Sequence, residues 1–237
     1  MNRLIIVGGS SVIANSIVNK FLEGNELIEV IKITRNKDFI NDKKYIYIDN
    51  YSNLEAVFSN FQPSRGDTII LAFAYLGLTG YKNSYPASLD EDNQNRVFDI
   101  NFMQMKEALN CSIKFLKASG GDIIYLSSAA AYPVRNSNIP YGLSKKYIDQ
   151  YIRQQNYYLK KSNINILSVR LGFVNTPLNI GRKSTPFSAT PEKVAKITLR
   201  ALNRNKTIVY IPTALYFVTK ILLLFPKLTN YLDKKYS

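Results

Sequence analysis

Tyr141 and Lys145 stand four residues apart in Tyr141-Gly142-Leu143-Ser144-Lys145. On a helix that spacing puts both on one face, where an ammonium beside a phenol favours the ionised ring oxygen. A free tyrosine titrates near 10, so cationic help of this kind is what would let Tyr141 exchange protons near neutral pH. Ser128 closes the run Ile123-Ile124-Tyr125-Leu126-Ser127-Ser128. From a strand end its hydroxyl can hydrogen-bond a carbonyl whose oxygen gains negative charge as hydride arrives. The chain has no His and one cysteine, Cys111. Acid–base work therefore falls to Tyr, Lys, Asp or Glu, and neither a disulfide framework, a cysteine-built metal site nor any bound metal is expected. The competing reading is a surface pair on a helix that also carries Tyr147, Tyr151, Tyr157 and Tyr158, in a chain with 17 Tyr.

A second cluster is Val7-Gly8-Gly9-Ser10-Ser11-Val12-Ile13-Ala14, where an apolar run turns into a helical one. Glycines there let a backbone approach a pyrophosphate, and amides at a helix start favour negative charge, so Gly8, Gly9, Ser10, Ser11, Val12 and Ile13 are candidates to hold a dinucleotide. The alternative is a plain tight turn. The next apolar run ends in Thr34-Arg35, where an acidic residue would suit a ribose 2′-hydroxyl. An arginine suits a 2′-phosphate, which favours NADP(H) over NAD(H), unless Arg35 is a solvated loop residue.

The elements that must position these residues follow from apolar runs bounded by turns. Strands are expected at Leu4–Val7, Ile28–Thr34, Tyr45–Ile48, Thr68–Ala74, Ile123–Leu126, Ile164–Val169 and Thr207–Ile211. They are short, rich in Ile and Val and mostly unalternating, as parallel strands covered on both faces are. Helical spacing occupies Ser11–Glu23, Ser52–Phe61, Arg96–Lys117, Tyr141–Lys160 and Pro191–Asn203, the last with Thr190 as cap and Pro191 in the first turn. The expected fold is α/β: a single Rossmann-type doubly wound parallel sheet over residues 1–212 with helices on both faces, and a basic, apolar C-terminal helix at 213–237 as an extension of that domain. The 237 residues, 46% hydrophobic and 20% charged, suffice for one such core.

The order of these motifs resembles the short-chain dehydrogenase/reductase family, with Ser128 about a dozen residues before a Tyr-x-x-x-Lys. The resemblance runs from Leu4 to about Ile211 and includes Asp49 after the third strand, Asn101 in Ile100-Asn101-Phe102, and Leu171-Gly172-Phe173-Val174-Asn175-Thr176, similar to the family's loop beside the nicotinamide. It implies a ketone reductase with Ser128, Tyr141, Lys145 and Asn101 as catalytic residues. Asn101 would hold a water in a proton relay and Lys145 the nicotinamide ribose, with Asp49 at the adenine and Ala72, Phe73, Ala74, Gly172, Val174 and Thr176 lining the cofactor. The chain departs from the family's Gly-x-x-x-Gly-x-Gly, keeping Gly8 but holding Val12 and Ala14 at the other places. Ala72-Phe73-Ala74-Tyr75 replaces Asn-Asn-Ala-Gly, and Leu171 replaces the loop Pro.

Charge is uneven, with 10 Lys/Arg against 12 Asp/Glu in residues 1–100 and 21 against 5 in residues 101–237. The second part suits an anionic partner: a phosphate, an acidic membrane or a nucleic acid. The absence of any base-reading motif argues against nucleic acid. The run Ala214 to Lys227, interrupted at Thr219-Lys220 and stopped at Pro226, is too short to span a bilayer. With Lys220, Lys227, Lys234 and Lys235 it is either an interfacial helix or a helix packed on the domain or in a dimer interface. This tail and the Gly8-Gly9-Ser10 opening are similar to the decaprenylphosphoryl-2-keto-ribose reductase branch, which implies a small-molecule carbonyl substrate on a sugar linked to a nucleotide or polyprenyl phosphate, for cell-surface polysaccharide. Arg182 and Lys183, in a loop from Asn175 to Ala189, would meet such a phosphate. Reduction of acyl or other small carbonyl compounds, or non-catalytic nucleotide sensing on the same fold, are the alternatives. The N-terminus enters a strand too soon for a secretory signal, so a cytoplasmic protein is expected, peripheral at the inner face of the membrane on the interfacial-helix reading, and a homo-oligomer.

Overall fold

The computed structural model describes residues 3–23, 28–82, 85–176, 179 and 187–236. The chain runs β1 (Arg3–Val7), α1 (Val12–Leu22), β2 (Glu29–Thr34), β3 (Tyr45–Tyr47), α2 (Leu54–Phe58), β4 (Thr68–Leu71), a short hairpin β5 (Tyr81–Lys82) and β6 (Tyr85–Pro86), and α3 (Glu91–Phe98). It continues through α4 (Met105–Leu116), β7 (Gly121–Ser128), α5 (Ile139–Tyr158), β8 (Ile164–Leu171), α6 (Pro191–Leu202), β9 (Ile208–Ile211), α7 (Leu215–Leu224) and α8 (Pro226–Tyr236).

Seven strands form one sheet in the order β3-β2-β1-β4-β7-β8-β9, every neighbouring pair parallel. This is the doubly wound Rossmann-type sheet that the sequence implies. Strand alternation divides the core in two. Ile5, Val7, Ile69, Leu71, Ile123 and Tyr125 face α2, α4 and α5. Leu4, Ile6, Ile70, Ile124 and Leu126 face α1 and α6. Burial on both faces explains why these strands read as continuous apolar runs. From β1 the chain winds out to β2 and β3, then crosses back to β4, so the winding reverses between β1 and β4. Ligands of such sheets lie beyond the strand C-termini at that point.

Element ends differ where a local bond overrides the apolar run. The fourth strand stops at Leu71 instead of Ala74, which frees Ala72, Phe73 and Ala74 to form a loop. The helix expected from Arg96 starts at Glu91, because Asp90 accepts a bond from the Asn93 amide at 3.0 Å. It is then broken by a π-helical turn over Asp99–Gln104. The expected helix Ser52–Phe61 shrinks to a 3-10 turn and the five residues Leu54–Phe58. Thr190 and Pro191 open α6 as expected, Thr190 Oγ1 accepting from the Lys193 amide at 3.3 Å. The tail is two helices rather than one, since Pro226 occupies the first turn of α8, a place where a missing N–H costs nothing.

Candidate active site

The sequence-predicted residues gather at the C-terminal edge of the sheet. Ser128 is the last residue of β7, paired in register with Leu171 of β8, and its Oγ accepts from the Ala130 amide at 3.2 Å. The segment after it folds back on α5, an approach that requires Gly142. A Cβ there would stand 2.9 Å from the Ala130 carbonyl oxygen and 3.0 Å from Val134 Cγ1. Gly142 thus lets the end of β7 close against the turn of α5 that carries Tyr141.

Tyr141 is 8% exposed and Lys145 1%, which removes the surface-pair reading. The Lys145 ammonium lies 5.0 Å from the Tyr125 ring centroid and 5.9 Å from that of Tyr141, and donates to the Leu126 carbonyl at 3.4 Å. Burial lowers Lys145 from the ordinary 10.5 to about 8, with the nearby Asp149 carboxylate opposing the fall. A cation so placed favours the ionised form of a neighbouring phenol.

Asn101 lies in the π-helical turn and is fully buried. Its Oδ1 accepts from the Tyr75 amide at 2.8 Å, while Nδ2 donates to the Tyr75 carbonyl at 2.7 Å and to Ser144 Oγ at 3.3 Å. Both polar atoms of the Asn101 side chain are thus engaged within the protein. What the side chain does is pin the loop after β4 to α5, since Ser144 Oγ in turn donates to the Tyr141 carbonyl at 2.8 Å.

The turn after β1 is a cradle. Gly8 has φ +96°, and a Cβ on it would lie 2.9 Å from the Ala72 carbonyl carbon and 3.0 Å from the Phe73 nitrogen. Gly8 N and Gly9 N both donate to the Ile33 carbonyl, at 2.9 and 2.8 Å. The groups left for an anion are at the helix start, where Val12 and Ile13 have no intrahelical acceptor. Asn15, which the sequence reading missed, clasps this turn from α1 by donating to the Gly9 and Ser11 carbonyls, both at 2.8 Å.

Arg35 follows β2 and lies with its guanidinium 5.0 Å from the Tyr51 ring centroid, bonded also to the Gln104 side chain. Tyr51 stacks on Phe73 with ring centroids 3.8 Å apart. Tyr51 and Phe73 are both buried in the core, so Arg35 caps a packed aromatic pair between the ends of β2 and β4. Tyr51 has no counterpart in the sequence reading; the signal that could have found it is an aromatic two residues beyond Asp49. Asp49 itself is exposed and holds the Tyr47 phenol in its protonated form by accepting its hydrogen bond. Thr34 is buried and its Oγ1 accepts from the Asn36 amide at 3.1 Å, so its side chain braces the loop rather than facing a ligand.

After β8, Gly172 donates to the Ile211 carbonyl at 2.9 Å. Val174 is buried in the core under this loop, which leaves only its backbone for a ligand, and Thr176 Oγ1 points back to the Val174 carbonyl at 3.5 Å. Arg182 and Lys183 lie outside the described residues. Among the described residues no cluster of potential metal ligands occurs, and no helix is long and apolar enough to cross a membrane.

Comparison with known proteins bears on the fold that carries this geometry. Residues 76–186 match the short chain dehydrogenase family. An uncharacterized oxidoreductase of Mycobacterium tuberculosis is 30% identical over 161 residues, 68% of this chain and 63% of that protein. One from Schizosaccharomyces pombe is 31% identical over 94 residues, covering 40% and 37%. The chain thus spans less than two thirds of the length of the mycobacterial relative. Among solved structures, a short chain dehydrogenase from Burkholderia cenocepacia in complex with NADP superposes with a TM-score of 0.77 at 16% identity, covering 95% of this chain and 94% of that one. A short chain dehydrogenase family protein from Francisella tularensis gives 0.69 at 22% identity, covering 89% and 97%.

Proposed function

On the match of residues 76–186 to the short chain dehydrogenase family, we propose that the chain is an NADPH-dependent oxidoreductase that reduces a ketone to an alcohol. The observation that carries this reading is the buried Tyr141–Lys145 pair on the helix against which the Ser128 strand end closes. The turn at Gly8 leads into the start of α1, where the Val12 and Ile13 amides would face a pyrophosphate, and Arg35 would supply a cation for a 2′-phosphate. Gly8 to Ile13, Arg35, Asp49, Phe73, Lys145 and the Gly172–Thr176 loop are the residues that would hold the cofactor, whose chemistry when bound is hydride transfer. Ser128 Oγ orients the carbonyl and donates to its oxygen as charge develops there. Tyr141 delivers a proton to that oxygen, and Lys145 stabilises the phenolate left behind.

The proposed substrate is a keto-sugar on a nucleotide or polyprenyl phosphate used for cell-surface polysaccharide. Its support is the basic second half of the chain and the tail. α7 and α8 expose Phe217 (68%), Leu224 (75%), Phe225 (58%) and Tyr231 (61%) beside the exposed Lys220, Lys227, Lys234 and Lys235. This combination fits an anionic lipid surface. Asp233 of α8 accepts from the Ser137 amide at 2.8 Å and from the Tyr81 hydroxyl at 3.1 Å, so the apolar face is fastened four residues before Tyr141.

The test is oxidation of NADPH by the full chain with nucleotide-linked keto-sugars, polyprenyl-phosphate keto-sugars in detergent, and simple ketones. Tyr141→Phe is expected to lower turnover by about 10²- to 10⁴-fold with cofactor affinity retained. Near-normal turnover in that variant refutes the catalytic reading. Binding to anionic but not neutral vesicles, weakened by salt, supports the lipid surface, and indifference to both refutes it.

A further inference from the structure

Asp149 is a buried carboxylate that the acid–base pair does not explain. It lies on α5 one turn beyond Lys145 and two beyond Tyr141, so helical periodicity turns all three to the same side. Its side chain is fully buried. Oδ1 accepts from Ser127 Oγ of β7 at 2.9 Å and from Ser168 Oγ of β8 at 2.7 Å, and Oδ2 from Arg170 Nε at 2.8 Å. Arg170 is itself held by the Tyr210 hydroxyl at 2.6 Å and lies 4.2 Å from the Tyr132 ring centroid. The groups facing Lys145 among the described residues are Tyr125 from β7 and Tyr141 and Asp149 from its own helix. Those facing Asp149 are Lys145, Tyr125, Tyr132 and Arg170. A buried ammonium needs a nearby anion to stay charged, and Asp149 is the carboxylate that acts on it.

We propose that Asp149 is a positioning residue for the reduction, its carboxylate fixed by Ser127, Ser168 and Arg170 one helical turn from Lys145 and acting on that buried ammonium through space, with Arg170 setting how strongly the charge is felt. This rests on the reading of Tyr141 and Lys145 as the acid–base pair. Three bonds to two strands and a cation also tie α5 to the sheet, and that mechanical role would exist without any effect on Lys145. The two roles differ in what a change of charge does. Asp149→Asn keeps a carbonyl oxygen for the serine hydroxyls while removing the charge. Arg170→Gln removes the cation that offsets it.

The experiment is titration of the full-length protein with ¹³C-labelled lysine, following Lys145 by NMR, its signal assigned by its loss in Lys145→Met. The wild-type midpoint is expected near 8. Asp149→Asn is expected to move it down and Arg170→Gln up, each by about one unit. Opposite shifts support the proposal, since loosened packing gives no such pair of signs. Unmoved midpoints in both variants overturn it, and if Asp149→Asn does not fold, absence of a rise in Arg170→Gln overturns it alone. A parallel pH profile of ketone reduction is expected to shift in the same directions. Opposite NMR shifts in a protein that oxidises no NADPH with any carbonyl would overturn the reductase reading while leaving the charge coupling in place.

Discussion

Replacing Gly8 with Ala tests whether the turn after β1 is built on a backbone that only glycine adopts. At φ +96° a residue with a Cβ bears roughly 1–2 kcal/mol of steric strain. The added methyl would also stand 2.9 Å from the Ala72 carbonyl carbon, a backbone atom that cannot swing aside because the Ala72 amide is bonded to the Val7 carbonyl at 2.8 Å. Overpacking of this kind costs about 1–3 kcal/mol. The two together predict a loss of about 2–5 kcal/mol, a large part of the 5–15 kcal/mol by which such domains are stable. Gly9→Ala is the control. Its Cβ would lie 2.9 Å from Lys32 Cβ, so it meets a comparable clash without the positive φ and should lose about 1–2 kcal/mol less. Urea unfolding at fixed pH reads both: the midpoint falls with the slope unchanged if the folded state alone is affected. NADPH fluorescence on the folded fraction of Gly8→Ala should show weaker binding, because the clash displaces the turn that would hold the cofactor. A Gly8→Ala loss below about 1 kcal/mol, or a Gly9→Ala loss as large, refutes the account of the cradle.

Arg35→Asp should replace attraction by repulsion at the 2′-phosphate and move the ratio of kcat/KM values from NADPH towards NADH; an unmoved ratio removes Arg35 as the selector. Asn15→Ala should cost about 1–2 kcal/mol through two lost bonds to the Gly9 and Ser11 carbonyls and weaken NADPH binding, which calorimetry checks. Asp233→Ala should free α8 from Ser137 and Tyr81, seen as rapid proteolytic loss of the tail with residues 3–211 still folded; persistence of an intact tail speaks against the latch. Lys145 has a folded value of about 8 against 10.5, so between these the unfolded chain binds a proton the folded one does not. Its contribution therefore favours folding increasingly as pH rises from 8 to 10.5. Lys145→Met should abolish that part of the slope in urea midpoints measured across this range.

What the sequence determined by itself is what depends on near neighbours. Parallel strands buried on both faces must be apolar throughout, so β1, β4 and β7 were visible as runs of Ile, Leu and Val. A spacing of four on a helix is enough to bring Tyr141 and Lys145 to one side, and Thr190-Pro191 opens a helix through bonds within its own first turn. The strand ends were less visible, because Leu71 stops β4 by what its neighbours β1 and β7 offer and not by its own residue type. The tertiary structure alone decided which polar groups were already occupied. The Gly8 and Gly9 amides belong to the Ile33 carbonyl, and the Asn101 side chain belongs to Tyr75, 26 residues earlier. It also decided the setting of Lys145, since Asp149 takes its partners from strands 19 to 22 residues away, and the docking of Asp233 on Ser137, 96 residues away. Helix and strand periodicity fixes which side of an element a residue faces; only the order in which strands assemble fixes what stands opposite it.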